Sequence, residues 1–170
     1  MEEIIIKKVS VIKTKINTEK LHLIENYVNM FEDKFRKRSW GDNVKSSLSL
    51  CENVLNDVVE LKDIKNQIEE QLENFFQKNV SFSIKDSWIN LIDKFGYQEY
   101  HAHKPYFASG TLYITDLNSD IEFATFPDHI AKSITPEKGD LFFWPGDLFH
   151  RVLDSNKRRI SLSFNIHETQ

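Results

Sequence analysis

The chain has 170 residues, 40% of them hydrophobic and including 13 Phe and 3 Trp, which is enough apolar material for one ordinary core and predicts a single domain over residues 1–170. Its 22 Lys and Arg are scattered among 26 Asp and Glu, for a net charge of -4, so no basic stripe supports a nucleic-acid partner. The lone Cys51 excludes an internal disulfide, and the opening MEEIIIKKVS has neither a secretory apolar core nor an apolar run of about 20 residues, so a cytoplasmic protein without a membrane partner is expected.

Residues 4–16 are rich in β-branched side chains (Ile4, Ile5, Ile6, Val9, Val11, Ile12, Ile16) and predict one or two strands. From Asn17 or Thr18, either able to cap a helix, apolar residues recur at Leu21, Leu23, Ile24, Tyr27, Val28 and Phe31. That spacing predicts an amphipathic helix ending near Lys37. Residues 39–56 carry no decisive pattern. Residues 59–78 repeat the helical spacing through Leu61, Ile64, Ile68, Leu72, Phe75 and Phe76, so residues 1–79 read as a strand and helical support region.

After Asn79 a period of two replaces the helical spacing. Strands are predicted at 81–92, 97–103, 107–115, 121–126, 140–144, 149–153 and 158–166, separated by turn material such as Phe95-Gly96 and Pro145-Gly146. Short strands at this spacing argue for a sandwich or barrel, and the jelly roll is the member of that class that hosts cupin-like metal sites. In residues 159–166 the even positions are all apolar and the odd ones all polar. Leu112 and Ile114 oppose Thr111, Tyr113 and Thr115 in the same way. If the apolar faces meet the helices, the polar faces line the barrel interior.

Three of the six histidines stand at informative spacings. His101 and His103, two apart in a strand-like run, project from one face and can share one metal ion. His150, 47 residues on, sits in a strand that can return beside the first and complete a three-ligand set with open positions. Arg159, with Ser161 two residues on along the same polar face, suits a carboxylate of a dicarboxylate cosubstrate, and Tyr113 can add its phenol from a facing strand. The aromatic residues Phe107, Phe123, Phe142, Phe143, Trp144 and Phe149 are read as core or as apolar pocket walls. Trp88 and Asn90 are further candidates to reach the site, with core as the blander place for Trp88. His22, His129 and His167 are read as surface residues, and Cys51 as a small buried side chain.

Taken together, Trp88-Ile89-Asn90, Gly96-Tyr97-Gln98-Glu99, His101-Ala102-His103, Ser109-Gly110-Thr111-Leu112-Tyr113, Gly139-Asp140-Leu141, Trp144-Pro145, His150-Arg151-Val152 and residues 159–165 resemble the prolyl-4-hydroxylase-like 2-oxoglutarate- and Fe(II)-dependent oxygenases. The resemblance covers residues 86 to 166. It implies a mainly β, α+β fold with a double-stranded β-helix (a cupin-like jelly roll) over residues 80–167 and helices covering one sheet. It also implies iron on His101 and His150 with the residue at 103 between them, 2-oxoglutarate on Arg159 helped by Ser161 and Tyr113, dioxygen as oxidant, and hydroxylation of a substrate that the sequence does not name. The family's usual middle ligand is a carboxylate, and here it is His103, with Glu99, or a vacant position open to a halide, as the alternatives. A cupin-like three-histidine metalloprotein without 2-oxoglutarate and a non-catalytic metal-binding barrel are the competing readings. A monomer or homodimer is expected.

Overall fold

The computed structural model describes residues 9–38, 46–49, 51–76, 81–116, 119–126 and 129–169. In chain order these form β1 (Ile12–Lys15), α1 (His22–Phe31), a 3-10 turn (Glu32–Lys34), β2 (Arg36–Arg38), β3 (Ser46–Leu48), α2 (Val54–Asp57), a second 3-10 turn (Val59–Leu61) and α3 (Lys62–Phe76). The strands β4 (Phe82–Ile92), β5 (Gln98–His101), β6 (Ala108–Tyr113), β7 (Ile121–Phe126), β8 (His129–Ile134), β9 (Asp140–Pro145), β10 (Phe149–Val152) and β11 (Arg159–Glu168) follow.

Among the described residues the strands make a seven-stranded sheet, ordered β1-β9-β6-β11-β4-β3-β2, and a four-stranded sheet, ordered β5-β10-β7-β8. Every strand pairing within them is antiparallel, and the architecture is a jelly roll with the helices on one side of the larger sheet. The alternation in β11 decides the layering. Ile160, Leu162, Phe164 and Ile166 join Ile89, Leu91, Leu112, Leu141 and Phe143 of neighbouring strands in one core with Ile24 and Val28 of α1 and Ile64, Ile68 and Leu72 of α3. Each such side chain contributes about 1.5–3 kcal/mol on burial, which a sheet face with polar residues at these positions could not supply. A smaller cluster of Tyr113, Ile121, Phe123, Phe142, Trp144 and Leu148 fills part of the space between the sheets.

The first helix is shorter than its periodicity predicts. Asn17 accepts the Glu19 N–H through Oδ1 and makes a turn, so the helix begins at His22 with no side-chain cap. It stops at Phe31, because Glu32, Asp33 and Lys34 offer nothing to the core and Phe35 reaches the core from extended backbone. The chain beyond it, expected to be helical up to Lys37, instead pairs as β2 with β3. The patternless region contains β3 and α2, and β8 was not predicted. The second predicted helix tightens into a 3-10 turn over its first three residues. Of the predicted N-terminal strands, β1 is found, and residues 4–8 lie outside the described residues, as do 77 and 78. No helix among the described residues is long and apolar enough to cross a membrane.

Candidate metal and cosubstrate site

His101 ends β5 and lies directly across from His150 of β10 in the antiparallel register. The strand stops there, so His103 does not share a strand face with His101 as its spacing predicts. Its position comes from a turn: the His103 N–H donates to the Gly146 carbonyl at 2.8 Å, and the His103 carbonyl accepts the Tyr106 N–H at 2.9 Å. A Cβ at Gly146 would stand 2.2 Å from the Tyr106 carbonyl oxygen, so only glycine lets the two segments approach this closely. The three rings converge, with centroids 4.3 Å apart for His101 and His150 and 5.2 Å for each other pair. One nitrogen from each lies within 4.8 Å of the others, the dimension of a set that can hold one metal ion. Glu99 is exposed, and its carboxylate is not in the cluster.

Burial is the main cause that holds all three imidazoles neutral: His103 is lowered to about 4, His101 is lowered, and His150 is lowered well below its ordinary value. The carbonyls of Glu99 and Leu148 accept from Nδ1 of His101 at 2.7 Å and of His150 at 3.3 Å. Because a carbonyl can only accept, the proton sits on Nδ1 and the Nε2 lone pair is left for a metal.

Arg159 opens β11, and Ser161 of that strand is in register with Tyr113 of β6. Arg159 is 2% exposed, its guanidinium carbon 5.7 Å from the centre of the Tyr113 ring. Its Nε and Nη1, and the Tyr113 hydroxyl, have no hydrogen-bond partner among the described residues. Burial lowers the Arg159 pKa and pushes the Tyr113 phenol up to about 12. Arg158 points the other way, to Glu32 and Asp93.

These groups line one cavity of about 420 Å³, which runs from Arg159, Ser161 and Tyr113 past the three histidines to Asp86 and Lys104. Its volume lies at the lower end for small-molecule sites, about 300–1,000 Å³. Trp88 and Asn90 are in its wall: the Trp88 ring stacks on His103 at 5.8 Å, and its N–H donates to Asn90, which donates in turn to Ser163 at 2.8 Å. The aromatic walls are fewer than predicted. Phe143 packs on Phe75 of α3, and Phe107 is exposed beside Phe76, both on the helix side. Phe123 and Phe142 lie between the sheets without lining the cavity, whereas Trp144 lines it. Phe149 is half-buried outside it. Pro145-Gly146 is legible in the sequence only as a turn and Trp144 only as an aromatic ring; the close approach at Gly146 and the unpaired indole N–H are seen in the structure alone.

Of the remaining histidines, His22 is exposed, His167 is half-buried 3.1 Å from the Asp86 carboxylate, and the side chain of His129 lies outside the described residues. Cys51 is half-buried rather than buried, and its thiol pKa is raised by burial, which suits no nucleophile.

No family model matches the chain, and no curated protein matches it. Solved structures do. A Pseudomonas putida prolyl-4-hydroxylase superposes with a TM-score of 0.72 at 11% identity, over 94% of this chain and 93% of that one. The viral collagen prolyl hydroxylase of Paramecium Bursaria Chlorella virus-1, as a 2-oxoglutarate complex, gives 0.66 at 14% identity over 92% and 94%. The nogalamycin epimerase SnoN, in complex with Fe3+ and α-ketoglutarate, gives 0.73 at 8% identity over 92% and 78%. The fold is therefore that of the 2-oxoglutarate/Fe(II) oxygenases. The prolyl hydroxylases among these matches share that architecture, and at the site this chain brings an HxH pair, His101 and His103, together with His150.

Proposed function

We propose that this protein is a 2-oxoglutarate- and Fe(II)-dependent dioxygenase that hydroxylates a peptidyl or small-metabolite substrate. The observation that carries the reading is Arg159: a buried guanidinium with two unpartnered N–H groups, in the cavity that three neutral imidazoles share. Leaving a cation so buried is costly unless an anion joins it, and a dicarboxylate whose other end reaches the metal meets both needs. His101, His103 and His150 would hold Fe(II), while Arg159, Tyr113 and Ser161 would hold the far carboxylate of 2-oxoglutarate. When bound, that pair supplies the oxidation of a substrate C–H bond by dioxygen, with succinate and carbon dioxide as the other products.

The chain's own part is placement and exclusion. Antiparallel pairing of β5 with β10 fixes two ligands on rigid strands, and the Gly146 contact fixes the third. The Glu99 and Leu148 carbonyls orient two of the rings. The Trp88 ring stacks on His103 at 5.8 Å in the wall of the same cavity and steadies the ring at the end of the turn.

Three imidazoles without a carboxylate also favour a second reading, a cupin-like metalloprotein that does not use 2-oxoglutarate. Purified protein with Fe(II) and ascorbate separates the two. We expect slow conversion of 2-oxoglutarate to succinate without prime substrate, and a weak visible charge-transfer band when 2-oxoglutarate is added anaerobically. Absence of both overturns the first reading.

A further inference from the structure

Six buried side-chain polar atoms among the described residues have no hydrogen-bond partner, and four of them belong to residues lining this one cavity: Tyr113 Oη, Arg159 Nε and Nη1, and Trp144 Nε1. All four can donate, and the indole and guanidinium groups can do nothing else. Tyr113 and Arg159 are already placed against the far carboxylate of the cosubstrate. Trp144 is not. In β9, Leu141 and Phe143 turn to the helical core, while Phe142 and Trp144 turn into the space between the sheets. Trp144 is 3% exposed, and its ring centre lies 4.7 Å from that of His150 and 5.1 Å from that of Phe123.

For packing alone, phenylalanine would serve here without the penalty of an unpaired N–H, about 1–3 kcal/mol when buried. Trp88, whose N–H donates to Asn90, shows the satisfied alternative within the same cavity wall. The donors thus fall at two places, Arg159 beside Tyr113 and Trp144 beside a metal-site histidine. We propose that Trp144 donates its indole N–H to an oxygen at the metal-binding end of 2-oxoglutarate, and so is a cosubstrate-binding residue. This rests on the dioxygenase reading. It assigns the two ends of an acceptor-only ligand to two separate sets of donors.

The test uses the full chain loaded with Zn(II), which is diamagnetic and does not turn over. Calorimetric titration with 2-oxoglutarate should show Trp144→Phe binding about tenfold more weakly than wild type, the loss expected for one hydrogen bond to a charged acceptor. Zn(II) affinity should be unchanged. In a 15N-labelled sample, the indole signal that Trp144→Phe removes should move downfield in wild type when 2-oxoglutarate is added. Equal affinities, or an indole signal that stays in place, overturn the proposal. If Arg159→Met loses 2-oxoglutarate while Trp144→Phe keeps it, this inference fails and the dioxygenase reading stands. If wild type does not bind 2-oxoglutarate, both fall. Should Trp144→Phe not fold, the wild-type signal is identified by elimination with Trp40→Phe and Trp88→Phe, and its shift decides.

Discussion

Arg159 is a cation with no counter-charge among the described residues around it, and that makes its contribution to stability depend on ligand. A buried charge without a partner costs several kcal/mol, and an apolar side chain of similar volume at such a place is often neutral or stabilising. Arg159→Met should therefore melt at the same temperature as ligand-free wild type or a few degrees higher. Adding 2-oxoglutarate at a hundred times its Kd to Zn(II)-loaded wild type should gain a further increment of about 2.7 kcal/mol, or about 5–10 °C for a chain of this size, and the Zn(II)-loaded variant should gain nothing from it. Differential scanning calorimetry reads both; a ligand-free variant that melts well below wild type would mean that Arg159 has a structural partner. Arg159, Ser161 and Tyr113 were legible in the sequence because strand alternation assigns a face, and the face opposite Ile160 and Leu162 had to be the interior. Trp144 was legible only as an aromatic ring. Alternation gives a side chain its direction and says nothing about whether an N–H at its end finds an acceptor.

At the level of elements, the site is a strand pair plus one turn, and the turn is the weaker part. His101 and His150 are held by ladder bonds, whereas His103 depends on the contact with Gly146. A methyl at Gly146 would push the Tyr106 carbonyl away and draw the 103–106 turn with it. Gly146→Ala should lower metal affinity about 10–100-fold, as misplacing a ligand does elsewhere, while costing only about 1–3 kcal/mol of global stability. Zn(II) competition titration and urea unfolding measure the two, and a loss of stability without loss of metal affinity would show that His103 is not a ligand. The same division explains what the sequence showed of the elements. β4, β6, β9 and β11 were predicted because each lays one apolar face on the helices. β2, β3 and β8 are edge or near-edge strands whose existence is decided by a neighbour's free edge, not by their own pattern. His103 was predicted by spacing on a longer strand; spacing carried the residue to the site, and a turn does the positioning.

Across the whole molecule, the two sheets flank a polar cavity in which His150 is buried and His101 and His103 are half-buried, so all three imidazoles lose part of their hydration on folding. The consequence is a pH dependence with a definite sign. His103 has an ordinary value of 6.5 and a folded value of about 4, and His101 and His150 are shifted in the same direction. Between those values the unfolded chain binds more protons than the folded one, so stability rises with pH across that window and is lost as pH falls through it. Above about 6.5 both states are neutral at these positions and the imidazoles contribute no slope. The melting temperature of metal-free protein should be nearly level from about pH 8 to 6.5 and fall steeply by pH 5, with His103 alone costing about 1–2 kcal/mol over that interval. His103→Gln should flatten the fall by its share, which separates it from the carboxylates that titrate lower. Saturating Zn(II) should raise the whole curve and raise it least at pH 5, because protons and metal compete for the same Nε2 lone pairs. A metal-free protein as stable at pH 5 as at pH 7 would mean that the three rings are fully solvated, and the burial on which both the metal set and the Arg159 guanidinium depend would not exist in solution.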